Sequence, residues 1–394
     1  MNDLNDILTV LRCFVEHRFC DAEIDIKEVL EEASRHNLLP LIVEVCSDQI
    51  NRSDPELKGY LYNAMHSIAA QVQRTGEFLR VYKKIAENGY YPLVLKGIIC
   101  RELYGEYQDF RPSYDEDILI KKEDFEGIRD ILIAEGYVPD IDADRFDLKD
   151  KIQEVTFCGS NLTIEVHLNL NGENNQLRKK MNSYFLDVFT NKRIQVIQDV
   201  AIYTLSHTDH CLFLIIHAFR HFTGGGFGIR QVLDIMLYGQ EFSNEIDWEY
   251  IRRSLKGLRA DKFYSDLVHL SNTYLGFRQE IDTEPCCIDE LLSDLLSAGA
   301  FGIETREKHT AAQMTSAAVS AGKKSLLRLI FPTKSDMIDF HPELEGKPCK
   351  IIGLWLKRWG RFLRNSRQTG GVLIKESSKI SQKRIKLLKK YDII

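Results

Sequence analysis

Asp115, Glu116 and Asp117 stand directly before the apolar run Ile118–Ile120, and a later β-rich stretch, "LTIEVHLNL", carries Glu165 and His167. Side chains alternate faces along a strand, so Asp115 and Asp117 project to one side and Glu116 to the other. By the same alternation Glu165 and His167 share a face, opposite Ile164, Val166 and Leu168. Two aspartates two residues apart, joined by one carboxylate from a neighbouring strand, hold divalent cations through oxygen ligands. Glu165 is the more informative member, because a carboxylate inside a β-run is expensive to bury unless it is paired or bound to metal. The competing account is bland: a solvated turn before the strand, and a hairpin with one wet face.

The elements that must position these acids follow from local pattern. "YPLVLKG" is a short apolar strand ending in glycine, "IICRELYGEY" a helix of about two turns, and "QDFRPS" a polar loop containing Pro112. "YDEDILI" is the next strand. "KKEDFEGIRDILIAEGYV" is an amphipathic helix with Phe125, Ile128, Ile131 and Leu132 on one face and Gly136 at its end. "KIQEVTFCGSNLTIEVHLNL" predicts a hairpin turning at Gly159, Ser160 and Asn161. This order makes residues 89–175 a small α/β module with a mixed sheet. Residues 1–88 are helical, with Pro40 breaking or beginning a helix and a long helix from about Tyr60 to Glu87 closed at Gly89. Residues 176–330 return to helix, and 331–394 form a proline-bearing connection and a basic tail. The fold class is α+β, a mixed-sheet module flanked by N-terminal and C-terminal helical regions.

Composition sets the outer bounds. The 394 residues are 44% hydrophobic and 28% charged, the make-up of a folded protein. Net charge is −6 overall, yet from Ile351 onward twelve Lys and Arg face two acids, a local +10. Nine cysteines, with no C-x-x-C, point to reduced thiols and a cytoplasmic location. The start lacks the pattern of a signal peptide, and no stretch approaches about 18 uninterrupted apolar residues, so no transmembrane segment is expected.

The order "LVLKGIICRELY…RPSYDEDILI…TIEVHLNL" resembles nucleotidyltransferases of the polymerase-β type, most of all a bacterial branch whose first turn reads Leu-Lys-Gly. "IIHAFRHF", "GIRQVLDI" and the "FP…P" connection are similar to that branch's helical half, so the resemblance extends over most of residues 60–365. It implies that Lys96 and Gly97 form a turn near an NTP triphosphate, and that Asp115 and Asp117 bind Mg²⁺ or Mn²⁺. Glu165 is then the third acid, ligating metal or drawing a proton from an attacking hydroxyl. Arg111 would pair bidentately with phosphate, and His167 would support Glu165. The implied reaction moves a nucleoside monophosphate from an NTP to a hydroxyl of a small molecule, sugar, protein or nucleic acid, releasing pyrophosphate. Two positions depart from the pattern: Glu116 stands where an apolar residue is usual, and the serine of Gly-Ser is missing. They leave open a non-catalytic module for nucleotide sensing or protein binding. A third reading is an antitoxin-like protein that nucleotidylates a partner.

Other signals have simpler explanations. His217 and His221 are i, i+4, a zinc-compatible spacing, but core packing or hydrogen bonding accounts for them and for His207 and His210. "TGGGFG" reads as an interhelical connection, "SAGKKS" lacks the rest of a P-loop, and Arg230 with Asp234 reads as a helix-face ion pair. The basic tail suits an anionic membrane surface, nucleic acid, a protein partner, or docking on the acidic body of its own chain.

Overall fold

The computed structural model describes residues 5–140, 153–172, 176–299, 308–312, 314–315, 331, 333–337, 341, 344, 349–357, 360 and 372–394. The "SAGKKS" stretch and most of the arginine-rich segment 357–367 lie outside the described residues.

Four helices lead in: α1 (Asp6–Val15), α2 (Ile26–Arg35), α3 (Leu39–Val45) and α4 (Lys58–Glu87). Asn5 and Asp25 cap α1 and α2 by accepting backbone N–H bonds, and Pro40 sits in the first turn of α3, where its missing N–H is harmless. Gly89 takes a positive φ of 86° just past α4, the left-handed exit expected of it.

A seven-stranded mixed sheet follows, with strand order β3-β4-β5-β2-β1-β7-β6. Its members are β1 (Leu93–Val94), β2 (Asp115–Leu119), β3 (Val138–Pro139), β4 (Glu154–Cys158), β5 (Thr163–His167), β6 (Arg193–Ile197) and β7 (Val200–Thr204). Between β1 and β2 lie α5 (Ile98–Arg101) and a 3₁₀ stretch, Glu102–Phe110, and between β2 and β3 lies α6 (Phe125–Ala134). β4 and β5 form the expected hairpin, and β2 lies parallel to β5 and antiparallel to β1. One strand pair departs from the helical reading of the second half. β6 and β7 are a hairpin turning at Gln198 and Asp199, both at positive φ (45° and 65°), and β7 pairs in parallel with β1. Consecutive left-handed residues are what a two-residue hairpin turn needs. The alternation in "RIQVIQDVAIYT" was the available signal.

Helices α7 (Gln176–Asn182), α8 (His207–Gly224), α9 (Ile229–Glu241), α10 (Trp248–Leu258), α11 (Asp261–Tyr274) and α12 (Ile288–Ala298) build the second half. The last described helix is α13 (Val372–Lys390). One hydrophobic cluster runs from Ile7 in α1 through Val94 and Ile118 in the sheet to Phe222, Leu388 and Tyr391. α13 docks on this body. Buried Arg384 pairs with Asp294 and donates to the Phe222 carbonyl, while Tyr391 donates to Asp266 at 2.7 Å. The distal part of the basic tail is therefore partnered by the chain itself. No described helix is long and apolar enough to cross a membrane. All nine cysteines are free thiols.

Candidate active site

β2 lies between β1 and β5, and its parallel register sets Asp117 across from Glu165 and Leu119 across from His167. Strand pleating therefore brings Asp115, Asp117, Glu165 and His167 to one face. Asp117 is 3% exposed, and its Oδ1 lies 2.9 Å from His167 Nε2. Its Oδ2 lies 3.1 Å from Lys96 Nζ, within ion-pair range but without hydrogen-bond alignment. Lys96 also lies 3.5 Å from Asp115, and His167 Nε2 lies 3.7 Å from Glu165. One candidate ligand atom from each of Asp117, Glu165 and His167 falls within 4.8 Å of the other two. Asp115 and Glu165 remain partly open to solvent, so the cluster is approachable from that side.

The charges are interlocked. Burial alone would raise Asp117, but the Lys96 ammonium and the His167 ring outweigh it and hold the carboxyl well below the usual range. Burial opposes the charged form of His167, yet its contacts with Asp117 and Glu165 prevail and raise it to about 9. The His167 contact lowers Glu165, while burial and the Asp117 charge carry it upward on balance. On the far side of the ring, Nδ1 of His167 faces Glu154 of β4 at 3.3 Å, in the antiparallel register that pairs Glu154 with His167. Glu154 escaped the sequence reading because only strand pairing brings it there.

A divalent cation fits the donor set. Asp117 Oδ2 is buried and accepts no hydrogen bond, and two further carboxylates share its face. Hard cations such as Mg²⁺ and Mn²⁺ take such oxygen ligands.

Glu116 points to the opposite face, as alternation requires, and is buried at 1% exposure. Its carboxylate accepts from the Ile98 N–H at 2.8 Å and from Arg101 Nη1 at 2.8 Å. Burial pushes this carboxyl up, partly offset by Arg101 and the Ile98 N–H. Directly above lies Gly97, at φ 56° and ψ −109°, where an added Cβ would fall 2.0 Å from Glu116 Oε2. The acid in an apolar position is thus a strut under the Lys96–Gly97 turn. Gly97 is required twice, by its backbone angles and by the carboxylate beneath it.

Arg111 occupies a different place from the one expected. Its buried fork is closed on Asp234, Nε to Oδ1 at 2.8 Å and Nη2 to Oδ2 at 2.6 Å, with Tyr104 donating to the same Oδ1 at 3.0 Å. The bidentate geometry suited to phosphate is taken by a carboxylate of α9, and Arg111 becomes the pin between that helix and the loop entering β2. The i, i+4 pairing of Arg230 with Asp234 is likewise replaced, because Asp234 faces Arg111 and Arg230 donates to the Pro112 carbonyl.

The four histidines of α8 divide into two pairs. His207 contacts the Tyr238 hydroxyl at 3.1 Å, and His210 contacts Thr204 at 3.3 Å in the core. His217 and His221 lie Nε2 to Nε2 at 3.1 Å, with Arg220 3.4 Å from His217. Burial lowers His221 to about 3, helped by Arg220 and Lys96. Burial, His221 and Lys96 lower His217 as well. Both rings therefore sit neutral within reach of the Lys96 charge. A second cluster, Asp266 with Cys286 and Cys287, is structural: Asp266 accepts from both cysteine N–H groups, at 2.7 and 2.8 Å, and from Tyr391.

No curated protein matches the chain. The family described as uncharacterised nucleotidyltransferase matches residues 22–276, a span that holds the whole sheet, the Lys96–Gly97 turn, the acids, and α8 and α9. With well over half its length inside that match, the chain belongs to the uncharacterised nucleotidyltransferase family.

Proposed function

We propose that the protein is a Mg²⁺- or Mn²⁺-dependent nucleotidyltransferase that moves a nucleoside monophosphate from an NTP to a hydroxyl acceptor. The observation that carries this reading is the convergence of Asp117 and Glu165, with Asp115 beside them, next to the glycine turn at Lys96. In this assignment Asp115, Asp117 and Glu165 hold the metal. When bound, the cation neutralises phosphate charge and aligns the attacking and leaving oxygens.

The chain's own groups do the rest. His167 fixes the orientation of Asp117 through its 2.9 Å contact, while Glu154 faces the other edge of the ring at 3.3 Å. Lys96 keeps Asp115 and Asp117 from repelling one another. Glu165, whose carboxyl is raised, is the proton acceptor for the attacking hydroxyl. As the acceptor oxygen bonds to the α-phosphorus, the bond from that phosphorus to the bridging oxygen breaks and pyrophosphate departs. Gly97 permits close backbone approach where the missing serine would otherwise contact phosphate. Glu116, as a strut, no longer argues for a non-catalytic descendant.

The test is binding and turnover of each NTP with Mg²⁺ or Mn²⁺, read by calorimetry and by pyrophosphate release across acceptor libraries. Asp117→Asn should reduce metal-dependent NTP affinity or turnover by more than about 100-fold, and His167→Ala by about 10- to 100-fold. Absence of NTP binding at millimolar concentration, or an unaffected Asp117→Asn variant, refutes the reading.

A further inference from the structure

Cys286 and Cys287 are the only cysteines that adjoin one another in the sequence. They lie in the connection from α11 to α12, Cys287 being the residue just before α12. Cys286 is exposed and Cys287 is buried, and their sulfurs lie within 4.8 Å of each other. Asp266 of α11 grips the pair by its backbone: Oδ1 accepts from the Cys286 N–H at 2.7 Å and Oδ2 from the Cys287 N–H at 2.8 Å. The same dipeptide holds the end of the chain. The Cys286 thiol donates to the Lys390 carbonyl at 3.5 Å, and the Cys287 thiol stands beside the Tyr391 hydroxyl. That hydroxyl donates to Asp266 Oδ2 at 2.7 Å. The Tyr391 ring packs edge-on against Phe222 of α8, with centroids 5.4 Å apart. The end of α13 is therefore tied to α11 and α8 at a point that contains two thiols.

We propose that Cys286 and Cys287 are a hydroperoxide-oxidised thiol pair whose closure to a disulfide releases the end of α13. Reactive thiols need access and electropositive surroundings. Cys286 is exposed, and Lys262 and Lys390 both stand near its sulfur. Burial pushes the Cys287 thiol up to about 12 and shields it, so Cys286 meets the oxidant first. The Cys286 sulfur takes one oxygen from hydrogen peroxide, which gives a sulfenic acid and one water. The Cys287 sulfur then bonds to that sulfur, and the displaced hydroxyl leaves with the Cys287 proton as a second water. The two thiols lose two electrons and the peroxide gains them. Neighbouring α-carbons are about 3.8 Å apart, below the about 4.4–6.8 Å that ordinary disulfides span, so the connecting peptide must turn. That turn draws the two N–H groups away from Asp266, the carboxylate that Tyr391 shares with them. The S–H donor to Lys390 is lost in the same step. An exposed bridge of this kind is reopened by thiols, so the release is reversible.

The experiment treats the reduced full-length protein with hydrogen peroxide, with and without dimedone, which traps sulfenic acids, and maps the peptides by mass spectrometry. Wild type should yield a peptide with Cys286 joined to Cys287, two hydrogens lighter. Cys287→Ser should stop at the sulfenic acid, so that dimedone on Cys286 rises about 10-fold over wild type. Limited proteolysis within α13 should run about 3- to 10-fold faster after oxidation, as the loss of one ordinary hydrogen bond implies, and recover with dithiothreitol. Cys286→Ser keeps a donor for Lys390 and should hold its cleavage rate under peroxide. It also decides the matter should Cys287→Ser fail to fold. Peroxide that modifies the other exposed thiols, Cys158 and Cys349, while leaving the dipeptide reduced overturns the proposal. So does a joined dipeptide with α13 cleavage unchanged, or equal acceleration in Cys286→Ser.

Discussion

Replacing Gly97 with alanine tests how the turn beside the acids is built. The new methyl group meets two obstacles. The backbone is at φ 56° and ψ −109°, a conformation that L residues avoid at a penalty of about 1–3 kcal/mol. The Cβ would also fall 2.0 Å from Glu116 Oε2. That atom is the end of a side chain and can move, but moving it breaks its contacts with the Ile98 N–H and with Arg101 in a buried setting. Disrupting such a pair costs about 3–5 kcal/mol. Gly97→Ala should therefore destabilise by about 4–8 kcal/mol, a large part of a typical domain's stability. A double-mutant cycle separates the two obstacles. Glu116→Ala alone breaks the Arg101 pair and should cost about 3–5 kcal/mol. In that background Gly97→Ala should add only the backbone penalty, so the two substitutions couple by about 3–5 kcal/mol in urea unfolding. If the two costs add within about 0.5 kcal/mol, Glu116 is not the strut and the account of this turn is wrong.

Asp234→Ala leaves Arg111 buried without its carboxylate and should destabilise by about 3–5 kcal/mol; a drop below about 1 kcal/mol in chemical unfolding would show that the pin is unimportant. Arg384→Met strands buried Asp294 and should expose α13 to limited proteolysis, while the added change Asp294→Leu should restore protection. In metal-free buffer the native pKa of His167, about 9, lies above its unfolded value of about 6.5. Its contribution, at most about 3 kcal/mol, is complete below pH 6.5 and is lost as pH rises through 9. A urea midpoint that is the same for wild type and His167→Gln across that range contradicts the ring's charged contacts. His221 has the opposite sign. Its native pKa of about 3 means that stability is full above about pH 6.5 and falls as the solution is acidified, and His221→Leu should flatten the acid limb.

Much of the local structure was legible because it depends on short-range periodicity. Alternation in "LTIEVHLNL" and "YDEDILI" separated Asp117 and Glu165 from their apolar neighbours, and the turn residues Gly159–Asn161 located the hairpin. The β6–β7 hairpin was hidden by its setting between helical patterns, although "VIQDVA" holds an adequate turn signal. Arg111 misled for a different reason. An arginine before an acidic strand looks the same whether its fork meets a phosphate or Asp234, which is more than a hundred residues away in the chain.

The amino-acid order alone determined the carboxylate face, the glycine turn and the division into sheet and helices, because backbone geometry repeats every two or 3.6 residues and marks the sequence accordingly. Tertiary structure alone decided the partners. It placed Glu116 under Gly97, closed Arg111 on Asp234, set Glu154 against His167 and docked α13 through Arg384. A buried charge must be satisfied by whichever opposite group packing brings within about 3 Å, and packing across the chain leaves no periodic trace in the sequence.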